Sequence, residues 1–229
     1  MEVVEIVVIR ENVREWEQAI LTELTSAPSP NTAEIRAIRR QFSRQLSKAP
    51  PKLIITLARR LMKRSNIHRF VASELIHFHH LAFLSLNKQL LEEFSHGLDS
   101  WDAVDVFSCY LAGPAWRERL IDDRFIRSWT RSNNRWLRRA ALVSTVPLNN
   151  QTRGGSGDKQ RTLAICEALV SDRDDMVVKA LSWALRELSK RDPESVTDFV
   201  AQHSKVLSPR VIREVNNKLG TGLKNPRVT

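Results

Sequence analysis

"NTAEIRAIRRQFSRQL", residues 31–46, places Ile35, Ile38, Phe42 and Leu46 at intervals of three and four. Residues so spaced share one face of an α-helix, and arginines occupy the other side of this one. The stretch therefore predicts an amphipathic helix with an apolar stripe turned to a core and a cationic face turned to water. The same period continues along the chain. "PPKLIITLARRLMKR" (50–64) opens with prolines suited to a first helical turn. "NIHRFVASELIHFHHLAFL" and "LNKQLLEEFSHGL" follow, and further helices are predicted over 100–112, 115–121, 123–131, 134–146, 158–171, 174–190, 193–203 and 208–219. With seven glycines, one tyrosine and no long β-branched alternation beyond the first few residues, the chain reads as all-α.

Short helices joined by tight turns, paired every ~35–45 residues, are the pattern of HEAT-like repeats. We expect one domain over residues 1–229, an α–α superhelix forming a curved solenoid with a basic concave face. "NNQTRGGSGDKQ" (149–160) reads as a flexible surface loop and residues 220–229 as a mobile basic tail. "VREWEQAILTEL" (13–24) reads as a cap on the stack. The glycines of 154–157 resemble no phosphate loop, since neither a preceding strand nor a following GK[ST] is present.

Composition narrows the function classes. At 42% hydrophobic and 27% charged, 229 residues hold a sizeable core, which excludes a disordered chain. The net charge of +10, carried more by Arg than by Lys, favours an anionic partner, nucleic acid first. Cys109 and Cys166 lie singly in apolar helical patterns and read as buried thiols of a reducing compartment. "MEVVEIVVIRENVREW" lacks a basic n-region, and no apolar run reaches membrane-spanning length, so a cytoplasmic protein without a membrane partner is expected. His77, His79 and His80 of "HFHH" have no acidic or cysteine companion at ligand spacing, so no metal is expected there.

Two stretches bear on chemistry. "RFIRSWTRSNNRWLRRAALV" (124–143) carries Arg124, Arg127, Arg131, Arg135, Arg138 and Arg139 and no acid. Their mutual repulsion would be relieved by a phosphate backbone. "LDSWDAVDVF" (98–107) holds Asp99, Asp102 and Asp105. Asp99 or Ser100 suits an N-cap and Asp102 a first turn. Asp105 lies further in, four residues from Trp101 and on its face, and either pairs with an arginine or does chemistry. Trp183, between Lys179 and Arg186, is either core or a stacking platform.

"SWDAVD", "RWLRRAALV" and "VVKALSWALRELSKRDPESVTDFV", in that order, resemble the AlkD-type alkylpurine DNA glycosylases of the DNA alkylation repair family, with "LSPRVIREVNNKL" similar to the terminal helices of some members. The resemblance covers roughly residues 30–220. It implies a HEAT-like fold, duplex DNA as partner, and release of positively charged N3- or N7-alkylated purines without cofactor or metal. It implies a catalytic Asp105, sugar-flanking Trp101 and Trp183, and a phosphate-contacting Arg139. Arg131, Arg135, Arg138, Lys179, Arg186, Arg213 and Lys218 are the expected further DNA contacts, and the protein is expected to act as a monomer. The competing expectation is a HEAT-like protein that binds damaged or branched DNA without cutting. A protein-interaction scaffold leaves the arginine run without a purpose.

Overall fold

In the computed structural model, residues 2–26 and 31–226 are described, with side chains from Val13 onward; residues 227–229 of the expected tail lie outside this range. Among the described residues every regular element is a helix, as the periodicity requires, and no helix is long and apolar enough to cross a membrane. The helices gather into two compact units, Met1–Phe94 and Ser95–Thr229.

The first unit holds α1 (Glu2–Ser26), α2 (Thr32–Gln45), α3 (Pro51–Met62), α4 (Asn66–Phe78), α5 (His80–Leu84) and α6 (Lys88–Ser95). Asn31 caps α2 by accepting from the Ala33 and Glu34 N–H groups, while the Glu34 carboxylate accepts the Asn31 N–H at 2.7 Å. Ile35, Phe42 and Leu46 are buried as the stripe predicts, and α1 closes over them with Trp16 edge-on to Phe42. The polar side of α2 differs from the expected solvated face. Arg39 is buried, donating to Glu74 of α4 at 2.7 Å and stacking over Phe78, and Arg36 joins the same carboxylate at 3.1 Å. Glu74 is 1% exposed, so two cations are needed to offset its loss of water. The helix expected to run through residue 84 breaks at His79, whose extended backbone lets its ring accept from the Ala82 N–H and bond the Ala49 carbonyl. Of the other histidines of "HFHH", His77 packs its ring edge-on to Phe78 and Phe83, and His80 is exposed.

The second unit begins with α7 (Trp101–Phe107), which passes through a π-helical turn (Ser108–Ala112) straight into α8 (Gly113–Arg117). Two separate helices were expected here; the observed continuity has a local cause. Pro114 has no N–H to donate, and the Gly113 N–H reaches back five residues to the Ser108 carbonyl. An added Cβ on Gly113 would stand 2.6 Å from the Ser144 carbonyl oxygen, so only glycine lets this rod approach its neighbour. Next come α9 (Asp123–Trp129), α10 (Arg135–Val143), α11 (Val146–Asn149), α12 (Lys159–Ala168), α13 (Asp175–Leu188), α14 (Pro193–Gln202) and α15 (Pro209–Thr221). Helix α10 packs between α7 and α13, and α15 packs on the far side of α13. Their shared core includes Val104, Leu142, Leu181 and Val215.

The glycine-rich 149–160 segment is tied down where a flexible loop was expected. Arg191 donates to the Asn149 and Gly155 carbonyls, Arg117 to those of Pro147 and Arg153, and the Asp158 N–H bonds the buried Asn149 side chain. The described part of the tail folds back as well: the Asn217 side chain donates to the Lys224 carbonyl and Lys224 pairs with Glu214 at 3.4 Å.

Candidate functional site

Asp105 sits in the last turn of α7, on the side that faces away from the core residues Val104 and Phe107. Arg139 of α10 grips it with a two-pronged fork: Nε donates to Oδ1 and the terminal NH2 to Oδ2, each at 2.9 Å. This geometry joins the two planar groups by parallel charge-assisted bonds. The third nitrogen of the guanidinium donates to the Met176 carbonyl in the first turn of α13 at 2.6 Å. One buried arginine thus ties three neighbouring helices together around one carboxylate.

The carboxylate is not sealed. Its side chain retains 19% exposure against 6% for Arg139. The fork takes one direction on each oxygen, and a carboxylate has about four lone-pair sites, so acceptor capacity remains on the open side. Burial lifts the Asp105 pKa above the ordinary carboxylate value, a rise that the Arg139 hydrogen bonds and charge reduce without cancelling and that nearby Asp102 reinforces. Cys109, fully buried one turn further on, is pushed by desolvation up to about 12 and is inert as a nucleophile. Both cysteines are free thiols.

Trp101 begins α7, one turn before Asp105 and on its face, with Ser100 at the N-cap position. It is 58% exposed, although an indole of that size would ordinarily be sheltered. On α13, Met176, Lys179, Trp183 and Arg186 recur at helical spacing along the one side that is not buried. Trp183 is half-buried there, two turns beyond the Met176 carbonyl that Arg139 holds. The non-buried edges of α7, α10 and α13 are therefore consecutive, stitched together by Asp105–Arg139, Arg138–Asp172 at 2.6 Å and Arg135–Asp174 at 3.5 Å.

Those pairs revise the picture of the arginine run. Three of its six cations have acids after all, supplied by Asp105 and by the "DRDD" segment (172–175) ahead of α13. That acidic segment was the readable signal; what sequence alone withheld was that it folds against α10. Arg124, Arg127 and Arg131 lie elsewhere, on the outer side of α9 and the turn after it, around a cleft of about 480 Å³. Lys179 pairs with Asp175 at 2.6 Å within its own helix. Arg186 donates to Ser182 Oγ, itself bound to the buried Glu214 of α15 at 2.6 Å, a brace the sequence did not reveal. Arg213 lines a cleft with Arg173 and Lys205 at the α14–α15 turn, and the Lys218 ammonium bonds the Gly222 carbonyl at the end of its own helix. Among the described residues no cluster of His, Cys, Asp and Glu suited to a metal ion occurs.

Known proteins bear on this arrangement. The model of a family described as DNA alkylation repair enzyme matches residues 30–219. A solved structure described as a predicted DNA alkylation repair enzyme from Enterococcus faecalis superposes with a TM-score of 0.68 at 19% identity, over 83% of this chain and 87% of that one. No curated protein matches. The structural likeness extends the all-helical fold, at an identity too low to carry more.

Proposed function

Because the chain belongs to the DNA alkylation repair enzyme family, we propose that it is a monofunctional glycosylase that hydrolyses the N-glycosidic bond of positively charged N3- or N7-alkylated purines in duplex DNA. The observation that carries this reading is an exposed indole one helical turn from a carboxylate that is fixed in place yet open on one side. An alkylated purine already carries the positive charge that makes it a good leaving group. When its bond to C1′ breaks, the electron pair departs with the base, which leaves neutral and needs no general acid. The sugar is left as an oxocarbenium-like cation. Ionised Asp105 stabilises that cation, and its free lone pairs accept a proton from the water that bonds to C1′. Arg139 holds the carboxylate ionised and in place. Trp101 and Trp183 offer π-faces to the developing cation and flat walls to the deoxyribose. Arg135, Lys179 and Arg186 line the same edges and meet the backbone phosphates. The enzyme acts as a monomer in a compartment that keeps Cys109 and Cys166 reduced.

The competing reading is a protein that binds damaged DNA and cuts nothing. It draws on the Arg139 fork, which an ordinary structural ion pair also makes. One assay separates them: purified protein is incubated with N-methylated duplex DNA and the released bases are resolved by chromatography. Release of 7-methylguanine or 3-methyladenine by the wild type, abolished in Asp105→Asn, supports the enzyme. Binding without release by either supports the binder.

A further inference from the structure

Helix α9 presents two unlike sides. Phe125, Ile126 and Trp129 are buried, and Trp129 packs on Phe107 of α7 with ring centroids 5.9 Å apart. Phe107 and Asp105 are two residues apart and so point about 200° apart around α7. Helix α9 therefore lies behind the Asp105 edge, and its outer side faces away from it. That outer side carries Arg124, Arg127, Ser128 and Arg131, all exposed, and Arg127 also borders the adjoining cleft of about 350 Å³ that contains Arg119.

The guanidinium groups of Arg119, Arg124, Arg127 and Arg131 are without a hydrogen-bond, ion-pair or aromatic partner among the described residues. Arg135, Arg138 and Arg139, by contrast, all have acids. The α9 surface keeps Arg124, Arg127 and Arg131 together around a cleft lined by no acid, at a standing cost in repulsion, while Asp122 and Asp123 at the start of the helix border Arg119. It also lacks what a protein partner would need: the exposed large hydrophobics, Ile67, Phe78, Leu81, Leu84, Trp101, Val206 and Leu223, all lie outside it. Specific protein interfaces are centred on buried aromatic or apolar anchors. A surface of charge without anchors suits a ligand recognised by its regular anionic backbone.

We propose that the outer face of α9 is a second duplex-DNA-binding surface, through which the protein holds one double helix while another lies on the Asp105 edge. As a second surface it rests on the Asp105 edge being the first; its ligand is unmodified DNA, bound through phosphates without regard to sequence. Its use would be transfer between DNA segments without release into solution.

The test uses the full chain and two unmodified duplexes, one on beads and one fluorescent. Wild type brings the fluorescent duplex to the beads. Arg124→Gln/Arg127→Gln lowers that capture at least five-fold, keeps the thermal midpoint, and keeps single-turnover base release from methylated DNA. Asp105→Asn captures as the wild type does. Losing two phosphate contacts lowers the slope of log K against log salt for the second duplex by about 1.8. Undiminished capture by the α9 variant overturns the proposal, whether the cause is a dimer bridging through two Asp105 edges or another surface. A polyglutamate peptide that displaces nothing from wild type supports it; one bound through Arg124 and Arg127 in preference to duplex overturns it. If the wild type releases no base while the α9 variant still loses capture, the glycosylase reading fails and this one stands.

Discussion

Arg139 holds Asp105 through two hydrogen bonds of 2.9 Å, although the residues are 34 positions apart in the chain. The pair does two things at once. It fastens α7 to α10 at their non-core edge, and it leaves a carboxylate oriented toward solvent beside an exposed tryptophan.

Replacing Asp105 separates these roles. Asp105→Asn keeps the shape and one acceptor but removes the charge that would face the oxocarbenium. Base release should fall on the order of 100- to 1000-fold, the scale of losing one preorganised electrostatic contact, while affinity for unmodified duplex stays within about two-fold of wild type. The thermal midpoint should fall, because Arg139 loses its charged partner at a cost of roughly 1–3 kcal/mol. Melting curves and single-turnover release measured together check both effects.

The raised pKa of Asp105 has a direction that can be measured. Catalysis needs the ionised form, so release declines as pH falls through the folded-state pKa, which burial places above that of a solvated carboxylate. The acid limb of the pH–rate profile should therefore sit above the ordinary carboxylate range. Arg139→Gln removes the influence that lowers this pKa and should move the limb to higher pH. For folding, the unfolded chain releases this proton first as pH rises, so Asp105 favours the folded state most below the unfolded pKa and less as pH climbs to the folded one. Asp105→Asn should flatten that part of the stability–pH curve.

Much of this was legible in the sequence, and the failures share a cause. The stripe of Ile35, Phe42 and Leu46 is buried because a 3.6-residue period is a local property of the chain. The resemblance to a family singled out Asp105, Trp101, Arg139 and Trp183, and of these the structure joins Asp105 to Arg139 directly. What escaped were tertiary counter-charges: Asp172 and Asp174 neutralise Arg138 and Arg135 across 34 and 39 positions, and Glu74 draws Arg39 out of the solvated face that its helix position suggested. The Met176 contact escaped too, because a backbone carbonyl has no side-chain signature. The continuous helix through Pro114 was hidden because proline more often ends a helix than bends it through a π turn.

The two tryptophans should part company in stability. Trp101 is 58% exposed, so Trp101→Ala should shift the thermal midpoint little. Trp183 is half-buried on α13, and Trp183→Ala should lower it measurably. Both should slow base release, Trp101→Ala by about ten-fold if its π-face contributes the ~1–2 kcal/mol of a desolvated cation–π contact. An equal loss of release and of fold in Trp101→Ala would assign that indole to packing.

Two glycines give a last test of how the rod bearing Asp105 is seated. A Cβ on Gly113 would meet the Ser144 carbonyl oxygen at 2.6 Å, Pro147 Cγ at 2.8 Å and the Ser108 carbonyl oxygen at 2.9 Å. Two of those atoms are backbone and cannot swing aside, so Gly113→Ala should destabilise by roughly 1–3 kcal/mol, the usual effect of overpacking. Relief can come only from moving the α7–α8 rod against the C-terminal end of α10, so base release should drop with the melting temperature. Gly220, near the end of α15, has nothing within 4 Å of its added Cβ. Gly220→Ala should stabilise by about 0.4–1 kcal/mol by restricting the unfolded chain, and leave release unchanged. If both variants melt alike, the close approach at Gly113 is not what seats the helix.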